Sequence, residues 1–144
     1  MSDRQHHVRL PRERVRRAVA AALALVPRRG GPVSVALVDD RTIRRLHRAH
    51  LGVDTPTDVL SFPAGGGPAG LLGEVVASGE TAGREAAARG LAAADELLLY
   101  VVHGVLHLLG FDDGAPAARK KMRAAERTAL HAAGVRRDLF SSRA

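Results

Sequence analysis

Apolar residues recur along the chain with the periods of helices and strands, and the breaks between them mark the elements. Val15, Val19, Ala22 and Val26 share one face of a helix predicted over residues 11–26. Pro11 sits in a first-turn position, and Pro27 with Gly30-Gly31 ends the element. The short β-branched run 33–38 predicts a buried strand. Asp39-Asp40 then offers an N-cap for a helix over 41–50, with Ile43 and Leu46 inward and Gly52 as its boundary. Residues 57–62 read as the next strand, stopped by Pro63, and 72–77 as another. Between them, the Gly- and Pro-rich stretch 64–70 predicts a flexible, hairpin-type connection. A helix over 80–89 ends at Gly90. Asp95 is expected to cap a long apolar helix over 96–109 that closes at Gly110, and a last helix covers 116–133 before Gly134 and a basic tail. There is no repeat and no linker long enough to divide domains. The pattern predicts one α+β domain over residues 1–144, a small mixed sheet of about four strands with helices packed on it.

Composition narrows the classes. At 144 residues and 15.2 kDa the chain can bury one core. With 46% hydrophobic and 26% charged residues it is neither a disordered tail nor a membrane protein. Aromatics are only 3%, so the core must rest on Leu, Val and Ala. The absence of cysteine excludes disulfide scaffolds, thiolate metal sites and cysteine nucleophiles. The N-terminus lacks an apolar signal segment, so the expected compartment is the cytoplasm. Net charge is +7 and the pI about 11.3, unevenly placed. Residues 1–48 carry twelve arginines and four acids, residues 49–100 two arginines and seven acids, and residues 101–144 eight Lys/Arg and four acids. Two basic segments thus flank an acidic middle, a pattern that attracts polyanions, RNA above all, through counterion release.

The stretch His103-Gly-Val-Leu-His107-Leu-Leu-Gly110-Phe-Asp112-Asp113 carries the chemistry. Two histidines four apart on a helix project from one face and can share a metal ion. Gly110 permits the left-handed turn that brings the chain back, and Asp112 or Asp113 can supply a third ligand. Two imidazoles and a carboxylate leave a tetrahedral zinc one open position, the catalytic arrangement. The spacing also fits a metallopeptidase with a carboxylate third ligand. Such enzymes place their general base, a Glu, directly after the first His. Here that position is Gly104, so peptide hydrolysis lacks its base and phosphodiester chemistry fits the basic chain better.

These residues, with two further blocks, resemble the YbeY-type bacterial endoribonucleases and rRNA maturation factors over nearly the whole chain. Asp54-Thr-Pro-Thr-Asp-Val-Leu-Ser-Phe62 resembles one family strand and Gly73-Glu-Val-Val-Ala-Ser78 another. His103 to Asp112 resembles the family's histidine signature, and Met122 and Glu126 fall at the expected places in the last helix. The resemblance implies a small α+β fold with one zinc ion per chain, held in the family by three histidines. It implies metal-dependent cleavage of single-stranded RNA, with roles at the small-subunit rRNA 3′ end and in ribosome quality control. The implied partners are therefore rRNA and the ribosome or its proteins, with neither membrane nor nucleotide cofactor. By position the metal ligands, and through the metal the catalytic residues, are His103, His107 and Asp113, with Asp112 as the rival third ligand.

Two positions depart from the family pattern. Asp113 stands where the family has its third histidine. Leu51 stands where the family has an Arg facing the cleft, and Val53 where it has a Lys, so the resemblance implies that a phosphate-holding cation is missing from its expected place. Arg48, nearly one helical turn back, is the candidate substitute, with His47 and His50 as others. Asp58 and Ser61 are candidates to line the substrate cleft, and Glu74 to orient a histidine N–H. The Arg12/Arg14/Arg16/Arg17 and Arg119/Lys120/Lys121/Arg123 clusters are candidates to track phosphates. The chain lacks the aromatic platforms of single-strand binders, so any RNA grip must be electrostatic. The leading expectation is a zinc-dependent single-strand endoribonuclease. The alternatives are a ribosome-associated RNA-binding factor with a structural zinc and, third, a metallopeptidase.

Overall fold

The computed structural model describes residues 1–29, 31–64 and 70–143. The predicted Gly- and Pro-rich connection falls largely on residues 65–69 and, like Gly30, lies outside them. The elements run β1 (Ser2–Asp3), α1 (Arg12–Ala24), a 3₁₀ turn (Pro27–Arg29), β2 (Val33–Val38), α2 (Asp40–Leu51), β3 (Val59–Pro63), β4 (Gly73–Ser78), α3 (Gly79–Arg89), α4 (Ala93–Leu108) and α5 (Pro116–Ala132). The four strands form one mixed sheet in the order β1-β2-β4-β3. β1 and β4 run parallel to β2, while β3 pairs antiparallel with β4. This is the α+β architecture that the hydrophobic pattern predicts.

The apolar runs of β2 and β4 are nearly unbroken because both faces of the sheet are covered. Val35, Leu37, Val75 and Ala77 point to one face, into the main core with α1, α4 and α5. Val38, Leu60 and Val76 point to the other, against Ile43 and Leu46 of α2. The helix α4 is buried almost all round, from Leu97 to Leu106, as a helix apolar on every side must be. No helix among the described residues is long and apolar enough to cross a membrane.

Two local expectations are corrected. Asp95 does not cap α4. The helix begins at Ala93 after an extended Ala92 with no side-chain cap, and Asp95 instead pairs with Arg14 of α1 at 2.7 Å. Long-range charge pairing has taken a residue whose local preference is the cap. The strand predicted from Thr57 starts at Val59, because the Asp58 carboxylate takes the Val59 N–H at 2.8 Å. The two-residue β1 went unforeseen: Ser2 and Asp3 have no strand propensity, and their pairing with Ala36 and Leu37 is set by the neighbouring strand.

Asp40 ties α2 to its neighbours. Its Oδ1 accepts hydrogen bonds from Ser78 Oγ and Thr81 Oγ1, both at 2.6 Å, and its Oδ2 accepts from Arg84 at 3.1 Å. Burial pushes this carboxyl up, but the Ser78, Thr81 and Arg84 donors outweigh it and hold the pKa below the ordinary carboxylate value. A depressed folded value gives stabilisation that is present above the unfolded pKa of about 3.9 and lost as pH falls through the folded one. Asp40→Asn is expected to lower unfolding free energy at pH 7 by about 1–2 kcal/mol. It should also flatten the acid-side loss of stability. Urea melts at neutral and acid pH measure both, and an acid slope unchanged from wild type contradicts the assignment.

Candidate metal centre

The site is built on the last turns of α4 and the bend that follows. His103 and His107 lie one turn apart on one face, and their Nε2 atoms are 2.9 Å from each other. Gly110, at φ +97°, takes the left-handed conformation that ends the helix, and its N–H returns to the His107 carbonyl at 3.0 Å. The chain then folds back over its own last turn. Asp112 stabilises the bend, its Oδ1 accepting the N–H groups of Asp113 at 2.7 Å and Gly114 at 3.1 Å. Asp113 is thereby turned toward the histidines, with Oδ2 3.5 Å from His103 Nε2 and 3.9 Å from His107 Nε2. The three groups together form a cluster with metal-ligating composition. A point equidistant from three atoms so spaced lies about 2.0 Å from each, the length of a Zn–N or Zn–O bond. The donor set of two imidazoles and a carboxylate fits a divalent ion without rearrangement.

Glu126 of α5 stands behind the first histidine. Its side chain is 2% exposed, and its Oε2 lies 3.2 Å from His103 Nδ1, so the ring carries its proton there and presents the Nε2 lone pair to the cluster. The other carboxylate oxygen meets Arg123 at 3.4 Å. Burial pushes the His103 pKa down, but the hydrogen bond and charge of Glu126, aided by Asp113 and Asp58, outweigh it and hold it above the ordinary histidine value. Glu126 thus takes the orienting role that sequence reasoning offered to Glu74, which lies on β4 paired with Phe62. Its signal was legible. Met122, Ala125, Glu126, Ala129 and Leu130 are the buried residues of α5, and an acid within an apolar stripe needs a partner.

His103 and Asp113 open into a groove of about 710 Å³ that Asp58 also lines, and that runs on between α3, α4 and the C-terminal segment. Five carboxylates and four arginines line it, so its charge leans negative before any cation is added. The arginines are Arg84, Arg89, Arg123 and Arg143; only Arg123 belonged to a cluster singled out from the sequence. Arg48 lies on the exposed face of α2, outside the groove lining. Ser61 also lies outside it, its hydroxyl donating to the Gly104 carbonyl at 2.9 Å. His47 binds the Thr55 carbonyl at 2.8 Å, and the His50 ring packs on Phe62. Leu51 is 60% exposed and Val53 42%. Gly104 faces the sheet: a Cβ there would meet Val75 Cγ1 at 2.6 Å. No larger side chain fits at position 104, so no glutamate can directly follow the first histidine.

The chain is similar to proteins of known family. The sequence profile of the family described as Endoribonuclease YbeY matches residues 1–134. An Endoribonuclease YbeY from Anaeromyxobacter sp. (strain Fw109-5) is 44% identical over 126 residues, covering 85% of this chain and 65% of its own. The chain therefore spans just under two thirds of that relative's length. An Endoribonuclease YbeY from Moorella thermoacetica is 42% identical over 135 residues, covering 86% of this chain and 85% of its own. A solution structure from Thermotoga maritima superposes with a TM-score of 0.59 at 25% identity, covering 84% of this chain and 81% of that one.

Glu126→Gln, which keeps the shape and removes the charge behind His103, is expected to weaken divalent-ion binding about 10–100-fold. Competition against a chelating dye measures it, and unchanged affinity argues against the orienting role. Asp113→Ala should lower the metal bound per chain in elemental analysis. Asp112→Ala, which only loosens the bend, should lower it less; the reverse order makes Asp112 the ligand.

Proposed function

The chain belongs to the endoribonuclease YbeY family, and on that premise we propose that it is a zinc-dependent endoribonuclease cutting single-stranded RNA in rRNA maturation. The substrate is rRNA near the small-subunit 3′ end, with a part in ribosome quality control. The setting is the cytoplasm, beside the ribosome. The observation that carries this reading is the convergence of His103 Nε2, His107 Nε2 and Asp113 Oδ2 at one point on the edge of a groove open to a polymer. Family membership and a pI of about 11.3 support RNA as the polymer.

His103, His107 and Asp113 would hold the ion. When bound, zinc supplies Lewis-acid polarisation of a phosphodiester oxygen and an acidified water. The chain's own groups set the stage. Glu126 holds the proton on His103 Nδ1 and fixes the ring. Arg123, held between Glu126 and the Phe140 ring at 4.5 Å, presents a guanidinium to the groove where a phosphate enters. Asp58, anchored by the Val59 N–H, lines the same groove on the substrate side. Ser61 serves by holding the Gly104 backbone, and Arg48 by adding positive charge at a distance. A second reading, an RNA-binding factor with a structural zinc, is favoured by the exposed Leu51 and Val53, where the resemblance calls for cations.

The test is cleavage of an unstructured RNA oligonucleotide by wild type and His107→Ala. The variant is expected to lose about 100-fold or more in rate, and chelation should abolish wild-type cleavage until zinc is restored. Equal cleavage by both proteins refutes the nuclease. Absence of cleavage by wild type, with a large gain in Leu51→Arg, supports the second reading.

A further inference from the structure

A second cavity of about 260 Å³ lies at the C-terminal end of α5, apart from the metal centre. Its rim is Arg127, His131, Arg136 and Arg137, and its floor the buried Leu130, Val135 and Phe140. The arginines here differ in one respect from those of the metal groove. In the groove each guanidinium has a carboxylate partner: Arg84 with Asp40, Arg89 with Glu85, Arg123 with Glu126 and Arg143 with Glu96. Among the described residues, Arg127, Arg136 and Arg137 form no salt bridge. The one acid at the rim, Asp138, has its Oδ1 taken by the Phe140 N–H at 2.8 Å.

Three arginines against one carboxylate leave the cavity net positive, and an anion relieves the remaining repulsion. Two of the three are also held in place. Arg136 donates to the His131 carbonyl at 2.9 Å, and Arg127 lies over the Phe140 ring at 4.9 Å. Arg123 lies over the same ring at 4.5 Å but lines the metal groove, so the Phe140 ring links the two cavities. Arg123 and Arg127 are four residues apart on α5, about 6 Å along the axis.

We propose that this pocket is an accessory phosphate subsite, through which RNA leaving the metal groove past Arg123 is held by Arg127, Arg136 and Arg137. The inference rests on the nuclease reading for the identity of its ligand. The guanidinium groups of Arg127, Arg136 and Arg137 at the pocket rim match the charge and planar hydrogen-bond geometry of a phosphate group.

The test is binding of a fluorescein-labelled single-stranded RNA of about twelve nucleotides, by anisotropy across a salt series. It is done in the His107→Ala background, so that the RNA stays intact and the result does not depend on cleavage. For a single strand, removing one cation that neutralises a phosphate makes the slope of log affinity against log salt shallower by about 0.7. Arg137→Gln should make it shallower by about 0.7 and Arg136→Gln/Arg137→Gln by about 1.4. Arg45→Gln, on α2 across the sheet, should leave it unchanged. With the metal ligands restored, the double variant should raise KM for the twelve-mer and leave cleavage of a dinucleotide unaffected. Unchanged slopes in both pocket variants with native circular dichroism, or an equal change in Arg45→Gln, overturn the proposal. Failure of the nuclease reading would show separately, as wild type that binds RNA and does not cut it.

Discussion

The close approach of α4 to the sheet at Gly104 governs the rest of the site. A Cβ at this position would sit 2.6 Å from Val75 Cγ1 and 3.1 Å from Val59 Cγ2, so the helix backbone lies flush on β3 and β4. Ser61 fastens it there through the Gly104 carbonyl. That contact sets the rotation of α4 about its axis. At 3.6 residues per turn, His103 and His107 fall about 100° and about 60° from Gly104 in the same sense. Both rings therefore emerge at the edge of the helix–sheet layer, one turn apart. The remaining positions, among them Leu97, Val101, Val105 and Leu106, are free to be apolar and buried.

Electrostatics complete what packing begins. Glu126 is buried from α5, a different helix, and reaches two partners at once, His103 with one oxygen and Arg123 with the other. A buried carboxylate persists only with such partners. The same interaction that makes Glu126 tolerable fixes the His103 tautomer and aims an arginine into the groove. The fold of α5 against α4 is thus tied to the chemistry: loosening one disturbs the ligand, the cation beside it and the core residue Met122 together.

Much of this was legible in the chain. The short apolar, β-branched runs in residues 33–38 and 72–77, the Asp39 cap whose side chain accepts from Thr42, and the glycines at 52, 90 and 110 are local signals that the structure follows. Residues settled by distant partners were harder to read. Asp95 has the composition of a cap and serves a salt bridge with Arg14. Arg84, Arg89 and Arg143 look like ordinary surface arginines until α3, α4 and the C-terminal segment come together to wall one groove. Arg48, the candidate substitute for the cation missing at Leu51, lies on α2, which packs on the face of the sheet away from the main core.

The sequence by itself determined the elements, the mixed helix-and-strand class and the His-x-x-x-His pair with its glycine turn. Those depend on period, capping and backbone freedom within a few residues. Only the tertiary structure decided which aspartate faces the histidines, which acid supports them and which arginines share their groove. These are choices among chemically equivalent side chains, and they are made by the direction in which each packed backbone points them.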